Sequence, residues 1–246
     1  MSDIPVARIT TYSNNGSDYV LLGHQRFNKN DLVAAFGGTL QPGVTYRSTH
    51  SFGNPAPLGL CSFALTTFVL SLINAGAMGV KHDNIVVGLA MFYGGFIQLL
   101  AGMWEIALEN TFGGLALSSF GGFWLSFGAI SIPWFGIASS YDDPIELDNA
   151  VGFYLLGWTV FTFILCLATC KSTIPFFSLF VCLDITFLCL TLGKLAQSPN
   201  CTKAGGIFGI ITAFLAYYNA MAGLMTSTNS YFVIRPWNLP KFGKAN

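Results

Sequence analysis

Few residues in this chain are equipped for chemistry, and most of those few stand in apolar surroundings. Asp184 lies between Leu183 and Ile185 in the middle of a long apolar run. No Lys or Arg occupies the interior of any such run, so a carboxylate there either holds a proton or faces water. That makes Asp184 a candidate proton or cation site. Glu105 and Glu109 close another apolar run four residues apart, on one face of a helix. Seven residues, Asn54, Pro55, Ala56, Pro57, Leu58, Gly59 and Leu60, open the first run without a charge. Asn as cap with Pro in the first turn aims backbone N–H groups and the positive end of the helix dipole outward, a setting that favours an anion.

Other chemistry is missing from the sequence. His24, His50 and His82 are scattered over the tail and a loop. No His-Glu-x-x-His, Gly-x-Ser-x-Gly or phosphate-loop pattern occurs, so neither an enzyme nor a cofactor is expected. Five of the six cysteines (Cys61, Cys166, Cys170, Cys182, Cys189) fall inside apolar runs, which implies packing rather than a disulfide framework. Cys166 and Cys170 are one turn apart, but no His or carboxylate shares their stretch to complete a metal pair. The Asn200-Cys201-Thr202 sequon lies so near the apolar runs that we expect it to be unused. The 53 residues before the first run are too few for a nucleotide-binding part, so any driving force must be a gradient.

The elements that position these residues follow from composition. The chain of 246 residues is 53% hydrophobic, 15% aromatic with 23 Phe, and only 9% charged, against roughly a quarter charged in a soluble domain. That is an integral membrane protein, and its zero net charge leaves no basic footprint for nucleic acid. Apolar stretches near 55–78, 84–104, 113–137, 149–170, 173–195 and 204–226 each reach the roughly 20 residues that cross a bilayer as a helix. The expected fold is an all-α membrane protein with six transmembrane helices. It divides into a polar N-terminal tail (1–53), a six-helix domain (54–228) and a C-terminal tail (229–246). The polar, Gly/Asn-rich residues 1–53 show no cleavable-leader pattern, so the first run itself is expected to direct insertion. Arg8, Arg26, Lys29, Arg47, Lys171, Arg235, Lys241 and Lys244 gather on one side, against Lys81, Lys194 and Lys203 on the other. The positive-inside bias then puts both termini in the cytosol.

A faint internal symmetry runs through the spans. Sliding Asn149–Cys166 over Asn54–Ser71 aligns Asn149 with Asn54, Leu155 with Leu60, Thr162 with Thr67 and Phe163 with Phe68, and sets Trp158 against Phe63. Gly113-Gly114 corresponds to Gly205-Gly206 at a similar offset. A three-helix unit repeated once must be inverted in the membrane, which places a site between the halves. Small residues at Gly205-x-x-x-Gly209, Ser118-x-x-x-Gly122, Ala75-x-x-x-Gly79 and Gly94-Gly95 are expected at close helix contacts.

The heptad at Asn54–Leu60, with Phe63, Thr66-Thr67, Phe92-Tyr93-Gly94-Gly95, Glu105, Asn110-Thr111-Phe112-Gly113 and Phe123-Trp124, resembles the acetate uptake transporter family. That family includes the bacterial succinate-acetate permease and fungal plasma-membrane acetate and ammonia-production proteins. The resemblance covers about residues 46–237, and the Ser230–Pro236 segment and the polar tail look like the fungal branch. It implies a homohexamer in the plasma membrane, each protomer with its own path, taking up acetate or similar small monocarboxylates together with protons. It further implies a hydrophobic constriction at Phe63, Phe120 and Leu183, with Ala216 influencing substrate size. Thr66, Thr67, Tyr93, Glu105 and Glu109 are secondary candidates. Two departures stand out: Phe120 occupies a position often held by Tyr, and Asp184 one that is commonly apolar or hydroxylic. An ionised Asp184 repels an anion and attracts ammonium, so ammonia or ammonium export is the alternative.

Overall fold

The computed structural model describes residues 10–14, 17–22, 25–35 and 52–240. Arg8, Arg47, Lys241 and Lys244, which contribute to the charge bias, and His24 and His50 lie outside these. The chain forms two compact units, residues 1–53 and 54–246.

In the first unit, β1 (Thr10–Asn14), β2 (Ser17–Leu22) and β3 (Gln25–Asn28) form an antiparallel three-stranded sheet in sequence order, and α1 (Lys29–Ala35) follows. The register pairs Tyr12 with Tyr19 and Val20 with Phe27. Val20 is buried, Arg26 stacks its guanidinium 3.6 Å from the Tyr19 ring centre, and Lys29 reaches Asp18 at 3.3 Å. The segment read from the sequence only as a polar tail thus holds a small sheet and a short helix.

The second unit is a helical membrane domain. Among the described residues, six helices are long and apolar enough to cross a bilayer: α2 (Ala56–Asn74), α3 (Ile85–Ala107), α4 (Thr111–Ser131), α5 (Pro144–Ala168), α6 (Ile174–Leu195) and α7 (Pro199–Leu224). Their starts carry local signals. Asp143 caps α5 by accepting from the Ile145 N–H (2.9 Å), with Pro144 in the first turn, and Ser198 and Pro199 do the same for α7. Asn110 caps α4, its Oδ1 accepting from the Gly113 N–H at 3.1 Å. The link from α3 to α4 turns through Glu109 at φ 64°, in the left-handed region. Beyond α7 the chain runs back to α6: Ile174 N–H donates to the Trp237 carbonyl and Leu239 N–H to that of Ser172.

One helix departs from α geometry. From Leu89 to Ile97, α3 is a π-helix, a rare winding that widens the turn and is frequent at functional sites. Gly94 lets α3 press on Thr66 of α2 there, where a Cβ would collide with the threonine side chain. Ordinary α winding resumes at Gln98.

Close backbone approach holds the remaining helices together. Gly102 of α3 meets the Ser118 backbone of α4, Gly205 of α7 meets Leu190 of α6, and Gly206 and Gly209 of α7 meet Ala75 and Ser71 at the end of α2. With lipid on the outside, such van der Waals contact replaces hydrophobic drive. Two of the expected small-residue pairs resolve differently. Gly79 belongs to the turn after α2, with φ at +71°, and Gly122 faces open space. Buried threonines follow the rule that polar groups in a membrane find partners within the protein. Thr66, Thr159, Thr162, Thr186 and Thr212 each donate to the carbonyl four residues back.

Gly206→Val would drive a Cβ into the Ala75 backbone. It is expected to cost about 1–3 kcal/mol through overpacking, read as a lowered melting temperature of the purified protein. Gly122→Ala, in open space, is expected to leave that temperature unchanged.

Candidate functional site

The start of α2 shows how the heptad is used locally. Asn54 Oδ1 accepts from the Ala56 N–H (3.1 Å), while its Nδ2 donates to the Gly223 carbonyl of α7 (3.4 Å). The side chain thus caps one helix and ties it to the end of another. Pro55 and Pro57 have no N–H, and the Gly59 N–H goes to the Pro55 carbonyl at 3.2 Å. At most the Leu58 N–H is left to face a solute from this first turn. The heptad is therefore a clasp before it is an anion site, and its dipole reaches outward through fewer donors than the sequence suggests. Gly59 is buried against Leu117 of α4, while Ala56 and Leu60 face a cavity.

That cavity, about 280 Å³, lies among α2, α3, α4 and α6. Phe63, Phe120 and Leu183, the three expected constriction residues, all line it, and the rings of Phe63 and Phe120 are 5.8 Å apart. Phe112, Phe176 and Phe180 pack edge to face in the same wall, with centroids 5.3–5.7 Å apart. In this apolar chamber stand two buried polar side chains, Gln98 (0% exposed) and Glu105 (3% exposed). Asn110 Nδ2 donates to Glu105 Oε2 at 2.6 Å, so the cap of α4 also fixes the carboxylate at the end of α3. Glu105 Oε1 and both polar atoms of Gln98 are buried with no partner.

A second cavity, about 640 Å³, opens beyond Phe123, one turn along α4 from Phe120. Asn74, Asp83, Asp148 and Lys194 line it, and Lys194 Nζ donates to Asp148 Oδ1 at 2.6 Å. Aromatic rings stand between the two chambers. Phe187 stacks on Phe120 (6.3 Å, 10° between planes) and meets Phe123 edge on (5.1 Å). Trp158 touches both Phe120 (6.0 Å) and Phe123 (5.2 Å). Phe187 and Trp158 were missed by sequence reasoning. Phe187 shares a helix face with Leu183 at a spacing of four, and Trp158 is the residue set against Phe63 in the repeat overlay, so both signals were present.

Other expected residues fall elsewhere. Asp184 lines neither cavity: about 100° round α6 from Leu183, it lies within electrostatic reach of the Cys166 thiol on α5, with Oδ1 buried and unpartnered. Being charged singled it out in the sequence, but the phase of the helix turns it away from the chamber. Ala216 is fully buried in the helical core, outside the lining. Thr66 is fully buried against Gly94, and Thr67 is buried with its hydroxyl unpartnered. Neither they nor the half-buried Tyr93 line either chamber, and Glu109 is exposed in the turn before α4. Among the described residues no cluster of His, Cys, Asp and Glu has the makings of a metal site.

Comparison with known proteins agrees with this architecture. A Saccharomyces cerevisiae protein named Ammonia transport outward protein 2 is 57% identical over 240 residues, 97% of this chain and 85% of that protein. Acetate permease A of Emericella nidulans is 48% identical over 227 residues, 85% of this chain and 76% of the permease. The solved structure of the bacterial acetate channel SatP superposes with a TM-score of 0.65 at 35% identity, covering 71% of this chain and 93% of the channel. Residues 36–241 match the GPR1/FUN34/yaaH family, and with most of its length inside that match the chain belongs to this family.

Proposed function

We propose that this chain is a plasma-membrane transporter, not an enzyme, for acetate and similar small monocarboxylic acids, and that it takes them up together with a proton. The observation that carries the reading is the apolar chamber with Phe63, Phe120 and Leu183 at one end and the half-partnered carboxylate of Glu105 in its wall. Burying an unpaired acetate ion among phenylalanines costs several kcal/mol, whereas the neutral acid enters cheaply. An aromatic barrier two rings deep admits only small, largely dehydrated solutes. Relatives named as an acetate permease and an acetate channel support the substrate class. The wider reading keeps both termini in the cytosol and a homohexamer in which each protomer has its own path. It also keeps a 3+3 inverted repeat, for which the overlay of Asn149–Cys166 on Asn54–Ser71 is the support.

Outward movement of ammonia or ammonium is the second reading, favoured by a relative named for it and by a carboxylate facing aromatic rings, which suits a cation. It loses the residue that first suggested it, since Asp184 lines neither cavity.

Labelled acetate is expected to enter proteoliposomes under an imposed inward proton gradient. Entry should persist in Asp184→Asn and fall several-fold in Glu105→Gln. If methylammonium moves and acetate does not, the chain belongs to the ammonia reading. Leu183→Val, in the chamber wall, and Ala216→Gly, in the core outside the lining, are each expected to admit lactate, which wild type is expected to exclude. Unchanged lactate exclusion in both variants would remove the size filter from these positions. Asn54→Ala is expected to lower uptake with the protein still at the membrane, because the clasp to Gly223 and the cap on Ala56 are lost together. Wild-type uptake in this variant would make the clasp dispensable.

A further inference from the structure

Gln98 alone, among the described residues, leaves both members of a buried donor–acceptor pair unused. It is 0% exposed, lines the chamber beside Phe63, Phe120 and Leu183, and neither its amide nitrogen nor its amide oxygen has a partner. It is the first residue after the π stretch of α3, where Gly94 and Thr66 hold the winding. Leaving a buried polar group unmatched is costly. A solute in the chamber relieves that cost only if it offers what the amide lacks.

A carboxamide presents a donor and an acceptor side by side in one plane. Its complement is a group with an acceptor and a donor side by side. An undissociated carboxylic acid is such a group, its C=O accepting from Gln98 Nε2 and its O–H donating to Gln98 Oε1. A carboxylate ion has two acceptors and no donor, so it meets the nitrogen but sets lone pairs against the amide oxygen. An ammonium ion has donors only and fails on the other side. A primary amide, neutral at every ordinary pH, matches as well as the acid does. Of the charged and titratable groups, Glu105 alone lines the chamber. The α2, α4 and α6 walls present none. Glu105 lies seven residues along α3, about 10 Å, too far for one two-carbon acid to touch both side chains.

We propose that Gln98 docks the undissociated acid through a paired hydrogen-bond ring, and that by the same geometry the chamber binds small neutral primary amides such as acetamide. The proposal rests on the acetate reading of this chamber. Gln98 then makes the coupling stoichiometric at the point of recognition, since the proton and the acetate arrive on one molecule.

Equilibrium binding of labelled acetamide to the purified full-length protein tests it, with displacement by acetone, which has the same shape and no donor, and by acetate. Acetone is expected to displace at least about tenfold less well than unlabelled acetamide, the loss of one buried hydrogen bond. Between about pH 5 and about pH 7 acetate is expected to weaken about tenfold per unit, following its acid form, while acetamide holds constant. Gln98→Leu is expected to bind acetamide at least about tenfold more weakly. The wild-type comparisons decide the matter even where that variant fails to fold. No saturable acetamide binding, equal displacement by acetone, or acetate equally potent at both pH values would each overturn the proposal. Acetate uptake into proteoliposomes runs in parallel. Uptake without acetamide binding defeats the ring alone, and acetamide binding without uptake supports the ring while defeating the transport reading.

Discussion

The hydrocarbon of a bilayer offers no water to hydrogen-bond, so polar groups in a membrane bundle find partners within the protein or face a cavity inside it. The structure of this chain is organised around that constraint. Threonines return their hydroxyls to their own helices, Asn54 and Asn110 each serve two helices at once, and Lys194 closes on Asp148. Against this background the unmatched groups of one chamber, the Gln98 amide and one oxygen of Glu105, carry meaning. Among the described residues Thr67, Ser118, Trp124 and Asp184 each leave one buried atom without a partner, but the chamber gathers three such atoms, two of them on one side chain, where a solute can arrive and depart.

The chamber exists because glycines and small residues bring the helices close on either side of it. Gly102 seats α3 on α4, and Gly59 seats α2 on α4, while α6 contributes Leu183 and the phenylalanines of the far wall. Asn110 contributes twice, ending the turn from α3 and holding the Glu105 carboxylate in one orientation. Packing, capping and site geometry are thus one set of contacts. The barrier between the two chambers consists of rings, Phe120, Phe187, Trp158 and Phe123, packed face and edge on one another.

Much of this was legible in the sequence, and what was not has a physical cause. Six runs of apolar residues declare six spans because length and composition are sufficient for a membrane helix. Phe63, Phe120 and Leu183 were reached through resemblance, and they do meet in space. The direction in which a side chain points was not legible. Asp184 drew notice by its charge, but one residue of helical phase separates it from the chamber. Gln98 escaped notice for the opposite reason, as an uncharged amide that costs less in an apolar run than a carboxylate does. The sheet of the N-terminal unit was unseen because its strands are short and polar. Gly79 and Gly122 sit at helix-contact spacing without making such contacts, since spacing within one helix says nothing about where a neighbour lies.

The π stretch at Leu89–Ile97 bears on how this protein tolerates change. A π turn takes about one residue more than an α turn to come full circle, so the nine residues of this stretch bring Gln98 and Glu105 to a facing that the same nine would overshoot if wound as ordinary helix. A replacement that tightens the stretch to α winding, with the residue count kept, would swing Gln98 and Glu105 together out of the chamber, with every group of the site still present in the chain. Loss of one residue along with that rewinding would offset much of the rotation. Here the winding of the backbone, and not the identity of any group in the site, keeps the site assembled.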